Sequence, residues 1–320
     1  MMTQFDPTRP LRIGTRGSAL ALAQAHEVRA RLMAAHGLPE DAFAVVVIKT
    51  TGDRILDRPL KEIGGKGLFT REIEAALAAA EIDIAVHSMK DMPTLQPRGL
   101  VIDTILPRED PRDGFVALGG GGLQDLPAGA VIGTSSLRRR AQIMLRRPDL
   151  RPVEFRGNVQ TRLQKLRDGV ADATFLAIAG LHRLGLDELA AQPVSPDDML
   201  PAIAQGAIGV ERRVEDDRVA ALLAPINHPG SQIRVIAERA FLAGLDGSCE
   251  TPIAGLAELT GDAATGSLRL RGEVLRPDGS ATLTGERRGP ATDAQAMGTD
   301  LARELLARAP AGFMDFRQQG

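Results

Sequence analysis

Three consecutive arginines mark the stretch of this chain best suited to binding chemistry, Val131-Ile-Gly-Thr-Ser-Ser-Leu-Arg-Arg-Arg140. An apolar strand over Val131–Thr134 is predicted to run into a helix over Ser136–Arg147, with Ser135 or Ser136 as its N-cap. Arg138, Arg139 and Arg140 then occupy the first helical turn, where the helix dipole disfavours cations unless an anion compensates. Hydroxyls such as those of Thr134 and Ser136, helix N–H groups and guanidinium forks converging at one strand end can hold such an anion. The plainer alternative is a solvated basic face. Two more turns follow the same design. In Arg156-Gly-Asn-Val-Gln-Thr-Arg162, Asn158 is the expected N-cap, Arg156 sits at a strand end and Arg162 on a polar helix face. In Gly14-Thr-Arg-Gly-Ser18, Arg16 and Ser18 stand in the same relation. Arginine-bearing turns at the carboxyl ends of successive strands predict one arginine-lined cleft.

Another apolar strand delivers Ile84-Ala-Val-His-Ser-Met-Lys-Asp-Met-Pro93, which places Lys90 and Asp91 at the same kind of strand end. They are either a surface pair or an ammonium and a carboxylate tuned by a cleft. His87 has no partner at a spacing that would define a dyad and is read as structural. Gly64-Gly-Lys-Gly-Leu-Phe69 lacks the Walker spacing, so nucleotide binding is rejected in favour of a mobile lid carrying Lys66. The chain's one cysteine, Cys249, lies among turn residues in Gly247-Ser-Cys-Glu-Thr-Pro252. It cannot form an internal disulfide, which leaves an attachment point, a nucleophile or an accidental surface thiol. No metal-ligand spacing is present, and the metal expectation is none.

Positioning these groups requires a scaffold. The chain has 320 residues, 43% hydrophobic and 25% charged, which predicts a globular protein of two or three domains. No apolar run is long enough to span a bilayer, and the polar N-terminus carries no secretory segment. With a single cysteine, this places the chain in the cytoplasm, with no membrane partner. The net charge of −2 conceals a local excess between Thr134 and Arg183, eleven Lys/Arg against four Asp/Glu. Such a patch calls for an anionic partner. With no Trp or Tyr and nine Phe, stacking platforms for nucleic acid are scarce, so a small polycarboxylate or phosphate fits better.

Strand and helix patterns alternate through the first two-thirds. Strands are expected at Leu11–Thr15, Phe43–Lys49, Ile82–His87, Phe115–Leu118, Val131–Thr134, Val153–Phe155 and Ala173–Ile178. Helices are expected at Ala19–Ala35, Leu68–Ala80, Ser136–Arg147 and Val159–Arg167. The fold class is α/β: two doubly wound, periplasmic-binding-protein-like domains with mainly parallel sheets. Pro107–Gly114 and Pro193–Pro201 read as crossings between them, with Ala207–Glu211 returning to the first sheet. A small C-terminal α+β domain with an antiparallel sheet follows, built from a helix over Gln232–Leu245, a hairpin turning at Pro277-Asp-Gly279 and a helix near Ala294–Ala307. The expected boundaries are 1–107 with 202–226, 108–201, and 227–320.

From Leu11 to about Ala309 these motifs, in this order, resemble those of the hydroxymethylbilane synthase (porphobilinogen deaminase) family. The resemblance is carried by Gly14–Ser18, Gly64–Phe69, His87–Asp91, Gly133–Arg139, Arg156–Val159, Leu200-Pro-Ala-Ile-Ala-Gln-Gly206 and the Cys249 loop. It implies a three-domain transferase of tetrapyrrole (porphyrin, heme) biosynthesis that joins four porphobilinogen molecules head to tail with loss of ammonia, then releases hydroxymethylbilane with water. It implies a dipyrromethane cofactor held by a thioether to Cys249, with Asp91 contacting pyrrole N–H groups and stabilising positive charge. Lys90, Thr134, Ser136, Arg138, Arg139 and Arg162 would hold cofactor carboxylates. Arg16, Ser18, Gln24, Arg156 and Arg183 would receive substrate, Lys66 and Phe69 belong to the mobile loop, and Gln205 lies near a crossing. A monomer passing its product to the next enzyme of the pathway is the implied setting. The chain departs from the family pattern at Glu62, where lysine is common, at Ala204, where glycine is frequent, and at Ser248 and Glu250 beside the cysteine. A two-lobed carboxylate-solute binding protein is the alternative; a transcriptional effector sensor would need a DNA-binding element, and no helix-turn-helix pattern is apparent.

Overall fold

Strand β1 (Leu11–Thr15) pairs in parallel with β2 (Phe43–Val47) and β3 (Ile84–Ser88) at the heart of the first sheet. The computed structural model describes residues 9–54, 67–190, 192–248 and 251–315. Beyond β3 the sheet continues through β9 (Ile208–Arg213) to β4 (Leu100–Ile105), giving the order β2-β1-β3-β9-β4. Helix α1 (Ala19–His36) covers one face, its buried residues Ala25, Val28 and Leu32 joining Ile13, Ile84 and Val210 in the core. Ser18 caps α1 by accepting from Ala21 N, and Gly37 ends it in the left-handed region that glycine enters without strain. The turn α2 (Thr51–Arg54) and helix α3 (Arg71–Ala78) lie between β2 and β3.

The second sheet has the order β5-β8-β6-β7, from β5 (Asp113–Ala117), β6 (Val131–Gly133), β7 (Arg151–Val153) and β8 (Ala173–Ala177). Strand β8 is covered on both faces, Phe175 packing with Ile132 and Ile143, Leu176 with Phe155 and Leu163. Helices α4 (Leu137–Arg146), α5 (Val159–Arg167) and α6 (Ile178–Arg183) belong to this lobe. After β9 come α7 (Asp217–Leu223) and α8 (Pro229–Gly244). The C-terminal unit lays α8 and α9 (Ala294–Arg308) on the antiparallel sheet β10 (Ile253–Thr260), β11 (Ser267–Leu275), β12 (Thr282–Pro290) around Phe241, Leu270 and Leu301.

The sheets are mainly parallel, as expected, and each carries one reversed strand. In the first sheet β9 runs antiparallel to β3 and β4, and in the second β5 runs antiparallel to β8. These are the strands entered from the crossings, so each lobe receives the chain from its partner on a reversed strand. Strand β4 was not anticipated because Asp103 and Thr104 break its apolar run where its register slips between Ile102 and Thr104. The helix expected over Leu68–Ala80 starts at Arg71, since Gly67–Thr70 form a turn.

The crossings are pinned to the C-terminal unit. Arg108 and Glu238, both side chains wholly buried, pair at 2.6 and 3.0 Å. Glu238 also accepts from Ala204 N at 2.6 Å and Ala257 N at 2.8 Å, so its oxygens are fully used. Ala204 has φ 57, which explains why glycine suits this position: a Cβ there costs about 1–2 kcal/mol. At the tip of the β11–β12 hairpin, Gly279 (φ 73) sits so tightly on α4 that a Cβ would come within 2.6 Å of Met144 Cβ. Among the described residues, no helix is long and apolar enough to cross a membrane.

Candidate active site

At the carboxyl ends of β1 and β3 a cleft partly open to solvent is lined by Arg16, Ser18, Gln24, Phe69, His87 and Asp91 among others. Arg16 comes off the end of β1 and donates to Asp53, with Nη2 at 2.5 Å from Oδ1. Its guanidinium lies 4.1 Å from the Phe69 ring centroid, a cation–π contact that fixes its plane. Burial pushes the Asp53 carboxyl upward, but hydrogen bonds from Arg16 and Thr50 outweigh it and hold the group below the usual range. Gln24 is buried on α1, nearly two helical turns beyond the Ser18 cap. His87 is held by Glu211, Nε2 to Oε2 at 3.0 Å, in keeping with a structural reading; its partner is 124 residues away and left no local signal.

Asp91 also borders a second, more basic compartment. Lys90 Nζ donates to Gln205 Oε1 at 3.3 Å. Gln205 Nε2 in turn donates to Asp113 Oδ1 at 2.9 Å and to Pro111 O at 2.8 Å. Loss of solvent pulls the Lys90 ammonium down to about 8; Asp91 and Asp113 oppose this, while Arg139 and Arg138 add to it. Arg162, drawn down to about 10 by desolvation and then by Arg139, belongs to the same field.

Ser136 is the N-cap of α4, and Ser135 instead accepts from Phe155 N at 3.1 Å. Thr134 Oγ1 accepts from Ser136 N, which tightens the turn. The arginine run divides: Arg138 and Arg139 are buried, Arg140 exposed. The compensating anion required by the helix dipole is supplied by the chain itself. Asp113 Oδ2 accepts from Arg138 Nη2 and Oδ1 from Arg139 Nη2, both at 2.7 Å. Burial pushes Asp113 up, yet the two guanidinium groups hold it far below the usual carboxylate range. Sequence reading missed Asp113 because it sits in the polar crossing, where nothing local separates it from Asp110.

Arg183 Nε donates to Glu27 at 3.2 Å and its Nη2 to Gly206 O at 3.1 Å, on the side of α1 near the second crossing. Arg156 lies at the turn before α5, capped by Asn158 as expected, and close enough to Arg162 to depress it. Lys66, Glu62, Cys249 and Glu250 lie outside the described residues. The residues flanking Cys249 are clasped, however: Ser248 N donates to Thr251 Oγ1 at 3.0 Å, and that hydroxyl donates back to Ser248 O at 2.7 Å.

Two α/β lobes with a third unit packed against both, a cleft bearing Arg16 and Asp91, and beside it a basic network of Lys90, Arg138 and Arg139 make the architecture of an enzyme able to hold an anionic substrate. Family models match nearly the whole chain: porphobilinogen deaminase, dipyromethane cofactor binding domain, over residues 11–221, and porphobilinogen deaminase, C-terminal domain, over 232–307. The chain is 71% identical over 316 residues to the porphobilinogen deaminase of Paracoccus denitrificans, covering 98% of this chain and 100% of that one. It is 54% identical over 318 residues to the chloroplastic porphobilinogen deaminase of Pisum sativum, covering 98% and 85%. The chain belongs to the porphobilinogen deaminase family. Similarity to the periplasmic aliphatic sulphonate binding protein SsuA from Escherichia coli is weak, with a TM-score of 0.40 and 14% identity over 97% of this chain and 91% of that one. It bears on neither ligand nor activity.

The residues present fit the family's dipyrromethane. Arg138 Nε and Arg139 Nε are buried without an acceptor, and Lys90 and Arg162 are cations whose charge their surroundings leave under-compensated. Acetate and propionate carboxylates would satisfy both deficits.

Proposed function

We propose that this chain is a hydroxymethylbilane synthase that condenses four porphobilinogen molecules head to tail, losing ammonia at each step, and releases the linear tetrapyrrole with water. The observation that carries this reading is the position of Asp91, which borders both the Arg16 cleft and the Lys90–Gln205–Asp113–Arg138–Arg139 network. When bound through a thioether to Cys249, dipyrromethane supplies the nucleophilic pyrrole carbon. Lys90, Thr134, Ser136, Arg138, Arg139 and Arg162 hold its carboxylates. Arg16, Ser18, Gln24, Arg156 and Arg183 receive the incoming monomer, while Phe69 and Lys66 cover it. As the C–N bond of the monomer breaks, its electrons leave with nitrogen and positive charge grows on the ring. Asp91 accepts from the pyrrole N–H and stabilises that charge with a carboxylate already in place. The boundaries proposed are 1–107 with 202–226, 108–201, and 227–320, in a cytoplasmic monomer that hands its product to the next tetrapyrrole enzyme.

Intact-mass spectrometry with peptide mapping tests the proposal: purified protein should carry a dipyrromethane on Cys249. Asp91→Asn should retain that adduct while turnover falls by about a hundredfold or more, the scale of losing one preorganised electrostatic group. Unmodified Cys249 in active enzyme would overturn the reading.

A further inference from the structure

We infer that Asp113 is a positioning residue: an internal carboxylate that occupies one edge of both Arg138 and Arg139 and thereby limits how tightly they grip the carboxylates of bound pyrroles. The inference rests on the function proposed above and adds a residue to it.

Arg138 gives Nη1 to Leu200 O at 2.7 Å and Nη2 to Asp113; Arg139 gives Nη1 to Phe175 O at 2.8 Å and Nη2 to Asp113. Each guanidinium is thus fixed at both terminal nitrogens, while Nε is buried and has no acceptor. A carboxylate that bonds one arginine with both oxygens uses up a full fork. Asp113 instead splits its oxygens between two arginines and leaves each Nε without an acceptor. Orphaned buried donors are costly, on the order of 1–3 kcal/mol each, and call for an acceptor from outside the chain. Charge gives the same answer. Lys90, Arg138, Arg139 and Arg162 face Asp113, Asp91 and Glu273, so with all of these groups ionised the cluster carries one positive charge in excess.

The consequence is kinetic. A chain lengthening by four units must move its carboxylates past these fixed cations, and cations without a resident competitor would hold each intermediate too firmly. Asp113 competes for the same guanidinium groups and keeps the grip reversible. Gln205, donating to Asp113 Oδ1, weakens that competition slightly.

The test uses the full-length, primer-bearing enzyme at limiting porphobilinogen, with intact-mass measurement of how many pyrrole units each molecule carries. Asp113→Asn should still load its primer but accumulate extended chains, with kcat down about tenfold or more and KM unchanged or lower, the pattern of over-tight ground-state holding. Asp113→Glu, which keeps the charge, should restore much of the wild-type distribution. If Asp113→Asn does not fold, Gln205→Ala provides the opposite arm: Asp113 then binds the arginines harder, so extended species should diminish and KM rise. A wild-type distribution in Asp113→Asn, or a raised KM without extended chains, overturns the inference, as does an unchanged distribution in Gln205→Ala. If wild-type protein carries no pyrrole adduct at all, the function proposed above fails instead.

Discussion

Lys90 shows how burial, rather than residue type, sets a working range. Its ammonium is drawn down to about 8 chiefly by desolvation, so it keeps a charge for carboxylate binding at neutral pH and loses it in mild alkali. The expected profile of kcat/KM falls above pH about 8, and Lys90→Arg should move that limb upward by more than one pH unit, because guanidinium stays charged. Stability should move the other way. With the folded value below the ordinary 10.5, the unfolded chain binds more protons between about 8 and 10.5, so folding stability rises with pH across that window. Denaturation midpoints at several pH values should show the rise in wild type and a flatter course in Lys90→Met. At this scale the sequence was legible wherever a strand end delivers its own chemistry, as with Arg16, Lys90, Asp91 and the caps Ser136 and Asn158. It was illegible where a partner comes from afar. Asp113 lies 25 residues from Arg138 and Asp53 lies 37 from Arg16, and no periodicity encodes such pairings.

Among the elements, the short strand β6 and helix α4 carry the arginines, and their fit depends on the absence of a side chain. A Cβ on Gly133 would lie 2.4 Å from the ring of the wholly buried Phe155, whose own backbone N–H is held by Ser135. Gly133→Ala should therefore cost about 1–3 kcal/mol by overpacking, read as a lowered denaturation midpoint with an unchanged slope. Helix α5 matched its expected span, Val159–Arg167, because an Asn cap and a regular Val159, Leu163, Leu166 stripe mark it without ambiguity. The short helices α6 and α7 gave no comparable signal. Their 6 and 7 residues are too few to establish a period, and packing on the sheet decides their conformation.

For the whole molecule, the alternation of patterns was enough to give the α/β class and the small antiparallel unit, but not what fastens the parts together. The fastening is tertiary. Arg108 and Glu238 are 130 residues apart, and the four hydrogen bonds on Glu238 join the first crossing, Ala204 just past the second, and β10 to α8. Glu238→Gln should leave Arg108 charged, buried and unpaired at a cost of about 3–5 kcal/mol, seen as a large fall in thermal midpoint. The C-terminal unit meets the first lobe as well, through Met89, Met92 and Ile105 and through Arg239, which donates to Pro93 O at 2.7 Å. Its hairpin tip, Gly279, rests on α4 of the second lobe. A bracket fastened to both leaves of a door keeps the door from swinging wide. Opening at the crossings would have to pry Gly279 from the helix that bears the arginines, so the C-terminal unit resists separation of the lobes.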